Sequence, residues 1–588
     1  MSNVKLLSLF IPLLFFFFFQ DPWASKVNPT LLQAAASGEN ITFLLVLQAQ
    51  ADVSGAKLRQ TKAAKGQFVF DQLRQTALST QQPLINILNA KGATYQSFYV
   101  VNALLITGDY PLLRELARHP ATARIEPNPW IPLQQPVQTT EDEDDAIQMR
   151  SALAWGVQRI RAEQAWALGY TGQQVVIGGQ DTGYEWHHPS IRNQYRGWNG
   201  DTVSHDYHWH DAIRTLNPQN DTTINNPCGL ASTVPCDDNN HGTHTMGTMV
   251  GDDGQGNQIG VAPGARWIAC RNMERGWGTP ATYIECFEWF LAPTDLAHAN
   301  PNPAMAPHVI NNSWGCPTSE GCNADNWATM NTVVSNLKAA GIVVVVSAGN
   351  SGSACGTVNT PAAIFEESFS VGATRNNDTI ASFSSRGAVT VDGSNRLKPD
   401  VSAPGVSVRS AVRNGNFASF SGTSMAGPHV AGLVALIISA NPALAGQVDD
   451  IESIIEQTAV TMLSTQNCGG FSGMESPNPT YGYGRVDALA AVERVLSMAS
   501  NTRQSNDELS VRLFPNPGQS HITISTSSQD PPIRLDLISA AGVLVQQHHW
   551  PDNGQFQQHI TIASLPKGIY FYRVQTSSGF ASGKFIKQ

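Results

Sequence analysis

Between Trp155 and about Ser500, short apolar runs alternate with stretches of helical spacing. The runs read "QVVIGGQ", "ARWIAC", "HVINNSWG", "GIVVVVSAGN" and "SFSVGAT". Strands that are apolar at nearly every position, with helices between them, predict a parallel α/β sheet covered on both faces. The pattern changes on either side. Upstream, "ITFLLVL" (41–47) reads as a strand, 64–90 has helical spacing, "YQSFYVVNALLITGD" (95–109) reads as paired strands, and "PLLRELARHP" (111–120) as a short helix before "TARIEPN". That order predicts a small α+β unit ending near Ile131. Past "NTRQSNDE" (501–508) the chain becomes short alternating strands broken by Pro, Gly and Asn, the pattern of a small β-sandwich.

Composition adds limits to this picture. At 588 residues the chain is too long for one core. A net charge of -10 leaves no basic surplus for phosphates, so nucleic acid is excluded as the main partner. The start, "MSNVKLLSLFIPLLFFFFFQDPWAS", has a lysine, an apolar run from Leu6 to Phe19 and small residues after a polar break. This predicts a secretory leader over 1–24, its apolar run being short for a membrane span. "EDEDD" at 141–145 marks a solvated linker over 136–154. All eight cysteines lie between Cys228 and Cys468. In an exported chain they predict disulfides, with Cys228/Cys236 and Cys316/Cys322 the pairs close in sequence and the connectivity open.

Three separated motifs carry candidate chemistry. In "VVIGGQDTG", Asp181 ends an apolar strand; in "DDNNHGTHTMGTMVG", His241 opens a segment of small residues; in "FSGTSMAGPHVAG", Ser424 sits at a strand-to-helix junction. Asp, His and Ser in that chain order form one of the known orders of the acyl-transfer triad. On these motifs the region of about 155–500 resembles the subtilisin-like serine proteases. "MAPHVINNSWG", "GARWIACRNM" and "GTPATYIECFEWFLAP" resemble the bacillopeptidase F type within that family.

The resemblance implies a peptide hydrolase. Ser424 would be its nucleophile, His241 its general base and Asp181 the group orienting the imidazole. Asn350 of "SAGN" would be the side-chain donor to the oxyanion, and Ser313, Trp314 and Gly315 of "NNSWG" would be substrate-binding residues. It implies no cofactor for the chemistry; structural calcium is a family trait for which no ligands can be named here. His244 and His429 read as structural residues, and the His/Asp cluster "HDYHWHD" (205–211) as a solvated loop in preference to a metal site. Gly179 and Gln180 stand where the family usually has apolar residues, and Tyr184 and Trp186 where smaller ones are common.

The flanks extend the resemblance. Residues 25–135 resemble a subtilisin-type inhibitory propeptide, implying self-cleavage between Trp130 and Trp155. Residues 508–588 resemble the type IX secretion C-terminal sorting domain through "LFPNPGQSHITIS", "LPKGIYFYRV" and the closing "GKFIKQ". The expected protein is a secreted or cell-surface bacterial endopeptidase acting on protein or peptide substrates. Its own propeptide and the secretion machinery would be its partners. The alternative is a catalytically idle binding scaffold on the same fold.

Overall fold

Helices cover both faces of the central sheet, which is why its strands are apolar at successive positions. The computed structural model describes residues 23–134, 137–138, 152–221, 223, 225–315, 324–504, 511–526, 531–540, 542–550, 555–576 and 580–588. The sheet comprises β1 (Val176–Asp181), β2 (Trp209–Asp211), β3 (Arg266–Arg271), β4 (Val309–Asn312), β5 (Val343–Ser347), β6 (Phe369–Thr374) and β7 (Val401–Pro404). Their order is β7-β6-β5-β4-β1-β3-β2, and every pairing is parallel. The chain enters at β1 in the interior, runs out to β3 and β2, then returns to build the other half from β4. In open sheets of this kind, sites form beyond the carboxyl ends of the strands where the order reverses.

Four helices frame that position: α1 (His241–Val250), α2 (Pro280–Leu291), α3 (Ala324–Ala339) and α4 (Thr423–Ala440). Alternate residues of β5 face opposite layers. Val345 approaches Gly427 of α4, whereas Val344 and Val346 join the cluster containing Phe287 of α2 and Leu337 of α3. Helix α4 is buried along nearly its whole length, so its hydrophobicity is that of a core helix.

The amino-terminal unit is an antiparallel sheet in the order 94–98, 103–108, 41–47, 122–127. Strand 41–47 is apolar at every position from Phe43 to Leu47, where both its faces are covered. Phe43, Leu45 and Leu47 pack on the unit's own helices, while Leu44 and Val46 join the cluster of α2 and α3. The predicted helical stretch 64–90 is two helices, Lys62–Thr80 and Gln82–Lys91. An additional helix, Pro29–Ala36, is capped by Asn28, whose Oδ1 accepts from Thr30 N at 3.0 Å.

Polar groups tie this unit to the sheet domain. Glu288 of α2 accepts the N–H groups of Tyr99 (2.5 Å) and Val100 (2.8 Å). Lys62 donates to Ala306 O (2.9 Å), and Arg124 donates to Thr329 Oγ1 (2.6 Å).

Leu496–Gln588 forms a separate compact unit. Its core of Ile522, Ile524, Leu535, Leu537, Ile560, Val574 and Phe585 lies in two antiparallel sheets of three and four strands, the sandwich that the alternation predicts. Of the cysteines, Cys228–Cys236, Cys270–Cys286 and Cys355–Cys468 are bonded. The first is one of the two close pairs expected; the other, Cys316/Cys322, lies outside the described residues, as does the "EDEDD" run.

Candidate active site

Asp181 is the last residue of β1, and His241 the first of α1. The His241 Nδ1–H donates to both carboxylate oxygens of Asp181, at 2.8 and 2.9 Å, and both residues are fully buried. The other ring nitrogen, Nε2, has no hydrogen-bond partner among the described residues. A ring held this way keeps its proton on Nδ1 and offers Nε2 as a base.

The loop before the histidine is organised by Asp237. It accepts from Thr182 Oγ1 (2.9 Å), Asn239 N (2.9 Å), Thr243 N (3.0 Å) and Thr243 Oγ1 (2.6 Å). Thr182 in turn accepts from Gly242 N (3.0 Å), so the residues following Asp181 and His241 are joined. Gly183 cannot carry a side chain: its φ is +113° and a Cβ would lie 1.8 Å from Cys236 O.

Ser424 is the second residue of α4. Asn350 lies beyond β5 and accepts from Thr423 N (2.9 Å) and Thr423 Oγ1 (2.8 Å) through Oδ1. That turns its Nδ2 outward: a Cβ on Gly422 would sit 3.6 Å from Asn350 Nδ2 and 3.7 Å from Ser424 N. The Asn350 Nδ2 and the Ser424 N thus lie near one another at the edge of Gly422, with Met425 Sδ at 3.7 Å from the same point.

Pro428 lies inside α4 and has no N–H for the carbonyl four residues earlier, that of Ser424. Ser313 Oγ supplies the missing donor at 3.1 Å. All three residues expected from the "NNSWG" segment line the space beside Ser424. The Ser313 hydroxyl braces the nucleophile helix, and its carbonyl accepts from Ser424 Oγ at 3.3 Å. Trp314 is 5% exposed and stacked on Tyr283 with ring centroids 3.9 Å apart, so it is both core and pocket wall. Gly315 lines the space beside Ser424, where a Cβ would meet Thr360 Oγ1 at 2.9 Å.

Two described pieces of the chain's own upstream sequence, 131–134 and 137–138, pair with elements around this space. Ile131 and Pro132 pair antiparallel with Gly278 and Trp277, and Leu133 N donates to Gly276 O at 2.7 Å. Ile131 is buried and lines a pocket together with Leu44, Tyr283, Ile284, Trp314 and Met330. Gln134 lies in a pocket with Gly349, Asn350, Thr360 and Ser424. Beyond it, Val137 and Gln138 pair antiparallel with Ser421 and Phe420, just before the serine. The hairpin carrying Gly276–Gly278 and the strand before Ser424 are pairing edges that sequence reasoning missed, although Arg275-Gly276 in "ERGWG" is a turn signal.

Other titratable groups are structural. Burial lowers His244 to about 3; its Nε2 contacts the Val408 and Ala418 carbonyls and its ring stacks on Phe420. Burial lowers His429 to about 4, with Nδ1 bonded to Met425 O. The "HDYHWHD" cluster is a partly exposed turn over 205–208 as expected, but its second half is a buried strand: Asp211 is held by Arg271 (3.1 Å), and His210 bonds Glu285 (2.7 Å). Arg271 also holds Asp238 at 2.6 Å. Among the described residues no three His, Cys, Asp or Glu side chains come together to hold a metal ion, and the acids near the site are already bonded.

Hydrogen bonds join Asp181 to His241, while Ser424 stands at a helix start with its Oγ bonded to Ser313 O and not to His241 Nε2; these are the residue types of a serine-nucleophile hydrolase. The subtilase family pattern matches residues 172–484, and a secretion system C-terminal sorting domain pattern matches 512–588. The chain is 36% identical to Bacillopeptidase F of Bacillus subtilis (strain 168) over 500 residues, 80% of this chain and 32% of that protein. It is 28% identical to Subtilisin E of the same organism over 408 residues, 68% of this chain and 87% of that one. An alkaline protease of Shouchella clausii is 30% identical over 357 residues, 60% of this chain and 73% of that one. The chain thus spans about a third of the length of Bacillopeptidase F and most of the length of the shorter relatives. It belongs to the subtilase family of serine peptidases. With its sorting domain it is a secreted or cell-surface bacterial protein.

Proposed function

We propose that this protein is a serine endopeptidase exported as a zymogen, and that it cuts its own chain after Gln134. The observation that carries the reading is that Ile131–Pro132 and Val137–Gln138 pair with two edges of the cleft, while Leu133 and Gln134 line the same pocket as Ser424. Ser424 Oγ attacks the carbonyl carbon while His241 Nε2 takes its proton. Asn350 Nδ2 and Ser424 N stabilise the oxyanion, and Asp181 stabilises the imidazolium. The imidazolium returns the proton to the leaving amine; water then releases the acyl group by the same steps in reverse.

On this reading the inhibitory domain ends at Gln134 and a linker runs to 154. Trp23 is 8% exposed in the core of the amino-terminal unit, edge-on to Tyr110, which favours a leader ending before Trp23 over one ending at residue 24. The peptidase domain covers 155–500, and the last 80 or so residues address the protein to the secretion machinery.

Casein digestion by the purified chain, with and without a serine-directed phosphonyl fluoride, tests the proposal. The reagent is expected to abolish digestion and to modify the peptide containing Ser424, and the mass of the mature product is expected to begin at Gln135. A folded chain that neither digests casein nor takes up the reagent after its amino-terminal unit is removed would instead be a binding scaffold.

Docking of the inhibitory domain should depend on pH. Burial raises Glu288 to about 8, so docking takes up a proton and weakens as pH rises from the free value of 4.5 to about 8. Burial, reinforced by Arg196, lowers Lys62 to about 7, so docking releases a proton there and strengthens from about 7 towards 10.5. The two trends cross, and the inhibition constant of residues 25–134 supplied in trans should be weakest between about pH 7 and 8. A constant that changes steadily from pH 5 to pH 10 would contradict this.

A further inference from the structure

Glu274 is fully buried directly under the hairpin that pairs with segment 131–133, and neither the triad nor the oxyanion donors account for it. The hairpin consists of Met273–Glu274 and Trp277–Gly278 joined by Arg275-Gly276. Both turn residues have positive φ, +49° and +86°, as a two-residue turn with this twist requires. Its outer edge presents Gly276 O to Leu133 N and pairs with Ile131 and Pro132. Such a short edge element has few packing contacts of its own to fix its position.

The Glu274 carboxylate supplies the anchor. Oε1 accepts from Asn226 Nδ2 (2.9 Å) and Arg275 Nε (2.6 Å), and Oε2 accepts from Asn220 Nδ2. Asn220 Nδ2 also reaches Glu274 O at 3.1 Å, and Arg275 Nη1 donates to Asp221 O at 2.8 Å. Asn220, Asp221 and Asn226 belong to the loop between β2 and α1. That loop is fixed at its start by Asp211, which accepts Ser232 N at 2.7 Å, and near its end by the Cys228–Cys236 disulfide. Cys236 immediately precedes Asp237, the residue that joins the surroundings of Asp181 and His241. One braced loop therefore supports both the histidine and the substrate-pairing edge.

We infer that Glu274 is a positioning residue for extended substrates: it clasps the hairpin 273–278 to the asparagine-bearing loop, so that the hairpin's backbone groups are pre-set to pair with a peptide strand upstream of the cut. The inference rests on the proposed peptidase activity only for its kinetic readout. A buried carboxylate accepting several donors is costly to remove because the donors lose their partner. A reader edge that loses its anchor must be ordered by each substrate that binds, which raises KM.

The test compares the native, self-processed enzyme with Glu274→Ala and Glu274→Gln on two substrates. The anilide of Ile-Pro-Leu-Gln reaches the hairpin; p-nitrophenyl acetate reaches only the nucleophile and the oxyanion donors. In Glu274→Ala the KM for the tetrapeptide is expected to rise about tenfold, the worth of one charge-assisted hydrogen bond. Its kcat and the turnover of p-nitrophenyl acetate should stay within about twofold. Glu274→Gln, which keeps one carbonyl acceptor, should fall between. An unchanged tetrapeptide KM, or parallel losses on both substrates, overturns the inference.

A second readout needs no activity. Amide hydrogen exchange in the full-length Ser424→Ala chain should become at least about tenfold faster over 273–278 when Glu274→Ala is added, with β3 unchanged. Equal exchange with and without the substitution overturns the inference even if the chain hydrolyses nothing. Should Glu274→Ala not fold, Asn226→Ala removes a single bond of the clasp and is judged by the same two measurements.

Discussion

Replacing Ser424 with alanine should lower peptide hydrolysis about a million-fold, to the level left by binding and oxyanion donors alone, and leave the amino-terminal unit uncut. The loss is about 8 kcal/mol of transition-state stabilisation, because no acyl-enzyme can form. The fold should survive. Ser424 Oγ makes only a 3.3 Å contact with Ser313 O, whereas the contacts that hold the helix start, Asn350 to Thr423 and Ser313 to Ser424 O, do not involve it. The variant therefore separates chemistry from structure: its mass should be that of the whole exported chain and its melting temperature close to native. Casein hydrolysis within tenfold of native would remove Ser424 from the mechanism.

Asp181→Asn should cost about 10⁴ in kcat with little change in KM. The His241 Nδ1–H points between two carboxylate oxygens at 2.8 and 2.9 Å in a fully buried site. An amide can meet Nδ1 with its own N–H, which selects the tautomer carrying the proton on Nε2. That ring cannot accept the serine proton, and its charged form loses the adjacent negative charge. Steady-state kinetics on a peptide anilide measure both constants; a fall of less than about tenfold would mean that the carboxylate is not the orienting group.

What the sequence discloses follows from range. Asp181, His241 and Ser424 are legible because each lies in a local strand-end or helix-start pattern, and Asn350 because it follows an all-apolar strand. The covered parallel sheet is legible from the same runs, and the carboxy-terminal sandwich from alternation. Features that depend on distant partners are not. Nothing in residues 205–211 says that Asp211 will be buried against Arg271, and nothing near Cys270 or Cys355 selects Cys286 or Cys468. The brace from Ser313 to Ser424 O is hidden for another reason. It answers a donor missing at Pro428, so it emerges only from accounting for the helix's backbone hydrogen bonds. The proposed self-cleavage window, open from Trp130 to Trp155 in the sequence, is bracketed by the pairings of Ile131–Pro132 and Val137–Gln138, which no local pattern foretells.

The segment crossing the cleft is continuous with the domain before it and the domain after it. Its concentration at Ser424 is therefore set by the length of the tether and is indifferent to how much protein surrounds it. On the proposed reading a first cut made there is unimolecular, and its half-time is expected to survive dilution. Each molecule would then carry its own clock, started when Ile131–Pro132 and Val137–Gln138 find their two edges, with no other copy needed to set it running.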